Sequence, residues 1–253
     1  MNKYRLFLII LLVTISGCSS SLSNQSRQIN YEKAAEANAE LGLRYMMAGN
    51  YQLAMNKLKR ALTFDEDSPD AHHYLAELYR RLNQFDDADK HYKKALANSK
   101  NDDDSALYNN YGVFLCGQGR IEEAEEQFSR VLENPLYQNR AQVYENLGLC
   151  MEQEKQNDKA EDYFKLALQY NNQLPTTYLA MARLSFAKKN WLSARGYIQK
   201  HRSMTDPVAE SLWLAVRIEL MLSDKVAAKN YGMELVNKFP QSNEASEYKK
   251  LGI

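Results

Sequence analysis

The chain repeats itself, and the period limits what it can fold into. Small residues recur at Gly42, Ala76, Gly112, Gly148, Ala182 and Ala215, spaced by 34, 36, 36, 34 and 33 residues. Each follows a large one: Leu41, Leu75, Tyr111, Leu147, Met181 and Leu214. Twelve residues after each small position stands an alanine (Ala54, Ala88, Ala124, Ala160, Ala194 and Ala227), and four further on stands Leu58, Tyr92, Phe128, Phe164, Ile198 or Tyr231. Two antiparallel helices approach closely only where facing side chains are small, and large residues a turn away then fill the flanking gaps. A period of this length holds one helical hairpin, which cannot bury its apolar face alone and must stack on its neighbours. With only 5 Pro and 10 Gly but 17 Tyr, the composition is that of helices packed with aromatic residues.

Short turns separate the helices of each hairpin at Gly49-Asn50-Tyr51, Asn83-Gln84-Phe85, Gly119-Arg120-Ile121 and Lys189-Asn190-Trp191. Gly or Asn supplies the positive-φ residue that closes a helix, and the apolar residue after it covers the hairpin end. Repeats four and six have Asn157 and Asp224 in that apolar place, which predicts looser turns. The pattern of small residue, aromatic, alanine and later aromatic resembles the tetratricopeptide repeat. The resemblance implies an all-α, right-handed superhelical solenoid of six tetratricopeptide hairpins at about 35–68, 69–104, 105–140, 141–174, 175–207 and 208–240, followed by a C-terminal capping helix within a domain 31–253.

The first residues read as a targeting segment. Lys3 and Arg5 precede the apolar run Leu6 to Val13, which leads to Ile15-Ser16-Gly17-Cys18. That run is too short to span a bilayer comfortably. The last four residues resemble a bacterial lipobox, in which Cys18 becomes the acylated first residue of the mature chain after removal of 1–17. Several acyl chains on one cysteine give the stable anchoring that a single chain does not. Ser19 stands where Asp would suggest inner-membrane retention by resemblance to enterobacterial sorting, which points to the periplasmic face of the outer membrane. Residues 18–30 are polar and read as a flexible tether.

Charge is balanced at 32 basic and 32 acidic residues, and removing Lys3 and Arg5 with the leader leaves 30 against 32. No overall basic field attracts nucleic acid or anionic lipid. His72 and His73 are adjacent, so they point about 100° apart on a helix, and no His pair has the i, i+4 spacing of a helical metal site. Asp102-Asp103-Asp104-Ser105 lacks the ligand alternation, central Gly and closing Glu of a calcium loop, and reads as an N-cap cluster for the third hairpin. There is no phosphate-binding loop, nucleophile elbow or triad pattern. The chain is therefore expected to be no enzyme, with no cofactor, no metal and no small-molecule substrate. Cys116 and Cys150 lie near the middle of first helices in repeats three and four, where stacking brings them within plausible bridging range. Both a disulfide and two buried thiols are compatible with that placement.

In stacked hairpins the first helices line the groove that receives a partner. In repeat one the inward positions read Ala39, Leu43, Met46 and Met47, and in repeat two His73, Glu77, Arg80 and Arg81. An apolar start beside a charged patch suits an amphipathic or extended protein segment. The whole chain also resembles a narrower family, the type IV pilus biogenesis and stability lipoproteins of the PilW/PilF kind, the pilotins of the pilus secretin. That resemblance rests on the lipobox, six repeats of this length, and the stretches NNYGVFLCGQGRIEEAEEQF (109–128), NPLY (134–137) and YENLGLC (144–150). It implies that Cys116 and Cys150 are bridged, that the partner is the type IV pilus secretin, and that the protein helps that outer-membrane channel reach its membrane and form its multimer. A periplasmic scaffold lipoprotein that organises cell-wall synthases or hydrolases fits the composition equally well.

Overall fold

The computed structural model describes residues 19–99 and 104–252. Cys18, Asp102 and Asp103, along with the leader, lie outside the described residues. Thirteen helices and no strand occur among the described residues. They pair as α1 (Ser19–Met47) with α2 (Tyr51–Phe64), α3 (Pro69–Arg81) with α4 (Phe85–Asn98), α5 (Ser105–Gly117) with α6 (Ile121–Glu133), α7 (Arg140–Gln153) with α8 (Asn157–Tyr170), α9 (Pro175–Ala187) with α10 (Trp191–Arg202), and α11 (Ala209–Met221) with α12 (Lys225–Lys238). Helix α13 (Asn243–Leu251) follows as the cap. The chain divides into two compact units, Met1–Tyr111 and Gly112–Ile253. No described helix is long and apolar enough to cross a membrane. Residues 19–30, expected to be a tether, instead belong to the first helix. No Pro or Gly interrupts the chain between Ser19 and Leu41, so nothing local stops the helix of repeat one from extending upstream.

Five hairpins close by the contact that the repeat implies. A Cβ placed on Gly42 would stand 2.6 Å from Leu58, one on Gly112 would stand 2.8 Å from Phe128, and one on Gly148 would stand 2.4 Å from Phe164. Hairpins two and five use Ala76 with Tyr92 and Ala182 with Ile198, all four fully buried. The first unit gathers Ala39, Met46, Leu58, Leu75 and Leu78 into one core. In the second unit, Ala194 and Ile198 pack with Leu214, Ala215 and Ile218 of the next hairpin.

Every hairpin turn has the same hydrogen bonds, in which the positive-φ residue donates to the carbonyl three before it and its successor donates to the carbonyl five before it. For hairpin one these are Gly49 to Met46 at 3.1 Å and Asn50 to Tyr45 at 2.9 Å. The pattern is the Schellman closure, which satisfies the carbonyls orphaned at a helix end. The turns of repeats four and six are no looser, because Lys155 to Glu152 (3.0 Å) with Gln156 to Met151 (2.9 Å), and Ser223 to Leu220 (3.1 Å) with Asp224 to Glu219 (2.9 Å), repeat it at the same lengths. Nor are Gly and Asn required. Lys155, Lys189 and Ser223 take φ of 60°, 62° and 62°, and in hairpin five it is Lys189, not Asn190, that does so. Each such residue costs about 1 kcal/mol that two backbone hydrogen bonds and the packed hairpin offset.

The sixth hairpin stands one residue out of the expected register. Measured from its positive-φ residue Ser223, the buried alanine is Ala228, whereas Ala227 and Tyr231 are partly exposed. The small position is then occupied by Val216, 34 residues after Ala182, and the large position by Gly232. Small and large have changed places. The room left at Gly232 is taken by Tyr248 of the cap, whose ring would lie 1.9 Å from a Cβ there. Val216, Leu235, Ala245 and Tyr248 form the core beneath that cap.

Over-packing at one of these contacts is expected to be costly. Gly148→Val should lower unfolding free energy by about 2 kcal/mol, and a double-mutant cycle with Phe164→Ala should return a favourable coupling of about 1 kcal/mol or more, both read by urea denaturation. Additive effects would mean that the two residues do not compete for the same space.

Candidate partner-binding surface

The eight groove residues do not present one common face. Ala39 is 1 % exposed and Met46 is 2 % exposed, and both belong to the core, packed with Leu58 and with Leu75 and Leu78 of the next hairpin. Leu43 is partly buried against the same core, while Met47 is 70 % exposed. Helical geometry explains the gradient. At about 100° per residue, positions 39 and 46 fall within about 20° of each other, position 43 about 40° round from 39, and position 47 about 80° round. Stacking covers the first direction and leaves the last to solvent.

Repeat two follows the same gradient with polar side chains. His73 is buried, with its Nε2 accepting a hydrogen bond from Asn110 Nδ2 at 3.0 Å. Glu77 is held in place: Arg80 donates to both of its oxygens at 3.2 and 2.8 Å, and the Tyr92 hydroxyl donates to it as well. Burial alone would raise the Glu77 carboxyl, but those hydrogen bonds outweigh it and keep the group below the ordinary carboxylate value. Arg81 is exposed. The open face of the first unit is therefore Met47 and Arg81, bordered by Leu43, Glu77 and Arg80. Ala39, Met46 and His73 leave the candidate set because neighbouring helices pack on them. The register of Leu43 and Glu77, which borders that open face, continues in the second unit as Val113, Leu149, Arg183 and Arg217.

A histidine pair that spacing along the chain does not reveal lies at the other side of hairpin two. His72 Nδ1 is 2.8 Å from His91 Nδ1, and His72 Nε2 is 3.0 Å from the Glu66 carbonyl. Only an N–H can face a carbonyl, so His72 carries its proton on Nε2 and accepts at Nδ1 from His91. Burial lowers the His72 pKa and brings that of His91 down to about 4, with the neighbouring imidazole and Lys94 adding to the shift. No group of three or more His, Cys, Asp or Glu side chains placed to hold a metal occurs among the described residues. The pair is separated by 19 positions and meets only because α3 and α4 lie side by side. Asp104, from the acidic run before the third hairpin, accepts a hydrogen bond from the Ser99 hydroxyl.

In the second unit, the Cys116 and Cys150 sulfurs are bonded, with Cα atoms 5.7 Å apart, so the first helices of hairpins three and four are joined directly beside Val113 and Leu149. Charged links follow the same series of helices: Arg183 donates to Glu152 at 2.9 and 2.7 Å and to Glu210 at 2.9 Å. The bidentate pair with Glu152 fixes the side-chain geometry of Arg183.

The tetratricopeptide-repeat family models match residues 42–82 and 103–173, and the model of YpiA-like C-terminal tetratricopeptide repeats matches 69–135. The chain is 33 % identical over 241 residues to the type IV pilus assembly protein PilF of Pseudomonas aeruginosa, covering 94 % of this chain and 95 % of that one. Among solved structures, Pseudomonas aeruginosa PilF superposes with a TM-score of 0.78 at 34 % identity, covering 87 % of this chain and 99 % of that one. PilW, a widely conserved type IV pilus biogenesis factor, superposes at 0.77 with 28 % identity, covering 84 % and 97 %. The Cut9–Hcn1 tetramer of APC/C reaches 0.70 at 17 % identity, a likeness of fold alone.

Two outcomes follow from this geometry. Met46→Glu places an uncompensated charge in the core, so it should cost about 3 kcal/mol or more and lower the thermal midpoint, where Met47→Glu should leave it nearly unchanged. Both His72 and His91 bind protons more weakly folded than unfolded, so their contribution is complete above about pH 6.5 and is lost as pH falls toward 4. Urea midpoints measured across that window should fall with acid, and His91→Gln should flatten the fall.

Proposed function

This chain belongs to the PilF family of tetratricopeptide proteins of type IV pilus assembly, and from that premise we propose that it is a lipid-anchored outer-membrane protein that binds the pilus secretin and promotes its localisation and multimer assembly. The observation that carries the reading is the full-length match to PilF, which extends through all six hairpins and not only through the repeat signature. A binding role accords with the fold: an array of hairpins exposes a long face of side chains and encloses no central cavity. Acylation at Cys18 places that face in the periplasm, where the secretin subunits pass on their way to the outer membrane. The Cys116–Cys150 bond fits export to an oxidising compartment, and its place on the first helices stiffens the surface a partner meets.

Deletion of the gene should reduce heat-resistant secretin multimers on gels and abolish surface pili, with both restored by the wild-type chain. Cys18→Ala should fail to restore outer-membrane multimers, because the acyl chains are the only anchor in this reading. Normal multimers in the deletion strain would overturn the proposal. Cys116→Ser should lower stability by about 3 to 4 kcal/mol, the chain-entropy value for a closed loop of 34 residues, and leave affinity for the secretin within about threefold. Two alkylatable thiols in protein taken from the periplasm would contradict the oxidised state.

A further inference from the structure

The register of Leu43 and Glu77 changes character along the second unit, from apolar at Val113 and Leu149 to cationic at Arg183 and Arg217. The two arginines stand 34 residues apart, at equivalent places on α9 and α11. Their surroundings differ. Arg183 is satisfied by Glu152 and Glu210. Arg217 is exposed and has no ion-pair partner among the described residues, and its guanidinium carbon lies 4.4 Å from the centroid of the Phe186 ring. Phe186 meets Trp191 at 4.9 Å with the rings inclined by 57°. Between these groups opens a hollow of about 450 Å³, lined by Arg183, Phe186, Lys189, Trp191, Leu214 and Arg217 among others. Lys189 likewise has no ion-pair partner among the described residues.

These features define a ligand. The hollow has the size of one large side chain with its flanking backbone, and two aromatic rings and a leucine supply its apolar lining. Arg217 and Lys189 are two positive charges without counter-ions, and the cation–π contact holds the Arg217 head at the hollow instead of letting it sweep through solvent. A basic segment would be repelled. A continuous polyanion would meet Glu152 and Glu210, the two carboxylates that hold Arg183. We infer that this hollow docks a segment of a partner protein in which a large apolar side chain is flanked by acidic ones, the apolar group entering between Phe186, Trp191 and Leu214 and the carboxylates meeting Arg217 and Lys189. The site goes beyond the secretin reading and is independent of which protein supplies the segment.

The test uses the chain without its leader and with Trp213→Phe, so that Trp191 is the one remaining indole and its emission reports on the hollow. The probes are three blocked peptides: GSDFDSG, GSNFNSG and GSDADSG. Emission should saturate with the first peptide. The second and third should bind about tenfold more weakly or worse, and Arg217→Glu should weaken the first by a similar factor, a loss that grows smaller as salt is raised. Lys200→Glu makes the same charge change on the exposed α10 surface of the fifth hairpin, and it should bind as the parent does. Circular dichroism melting checks that both variants fold, and the comparison of peptides requires no variant at the site. Equal affinity for the Asp and Asn peptides would overturn the inference. So would a loss with Lys200→Glu equal to that with Arg217→Glu, or absence of saturation at concentrations on the order of 10 mM. Normal pili in a deletion strain would remove the secretin reading and leave this binding result unchanged.

Discussion

Where Gly42, Gly112 and Gly148 stand, an added Cβ would fall 2.6, 2.8 and 2.4 Å from the side chain facing it, closer than packed carbon atoms approach. The two helices of a hairpin therefore meet at van der Waals contact, with one residue of the first lying under one large residue of the second. That contact fixes their rotation about their own axes. It thereby decides which stripe of each first helix faces the next hairpin and which is left for a partner. The sixth hairpin shows that the constraint is on summed volume and not on residue identity. Val216 and Gly232 exchange the usual sizes, and the cap helix delivers Tyr248 into the remaining space. Helix α13 covers the sixth hairpin through Ala245 and Tyr248, and the exchange gives that helix its seat.

The repeat made the helix order, the turn positions and five of the six packing contacts legible, since each depends on residues at fixed separations along the chain. Where reading failed, the missing information was spatial. Ala215 and Ala227 imitate the motif because they too are twelve apart, and only the positive φ at Ser223 shows that Val216 and Ala228 are the working pair. Lys155, Lys189 and Ser223 take left-handed conformations that their side chains do not favour, because the Schellman hydrogen bonds and the packed hairpin hold them there. The His72 and His91 pair joins residues of two helices and has no signature along one. The groove was only half legible: a helical wheel placed the right side of α1 inward, yet Ala39 and Met46 lie some 40° to 60° from Leu43 toward the stacking neighbour and are covered by it.

What remains open to a partner is a narrower strip than the sequence implies, and its chemistry varies along the chain. In the first unit it is apolar and basic at Met47 and Arg81, and in the second unit the register that borders it is apolar at exposed Val113 and cationic, beside aromatic rings, at exposed Arg217. A disulfide and the ion pairs of Arg183 with Glu152 and Glu210 tie successive first helices in the second unit. Rigid support of this kind lowers the ordering cost of binding, so a modest set of exposed side chains can hold an extended segment of a partner.

The central claim is that the pilus secretin is received on the exposed strip of the first helices. It is tested most directly by placing a photo-crosslinking amino acid at single exposed positions in cells that assemble pili. Met47 in the first unit and Val113 in the second represent the first helices, and Lys93 represents the second-helix surface. The account predicts secretin adducts from Met47 and Val113 and none from Lys93. Adducts from Lys93 alone, in cells with normal pili, would contradict it.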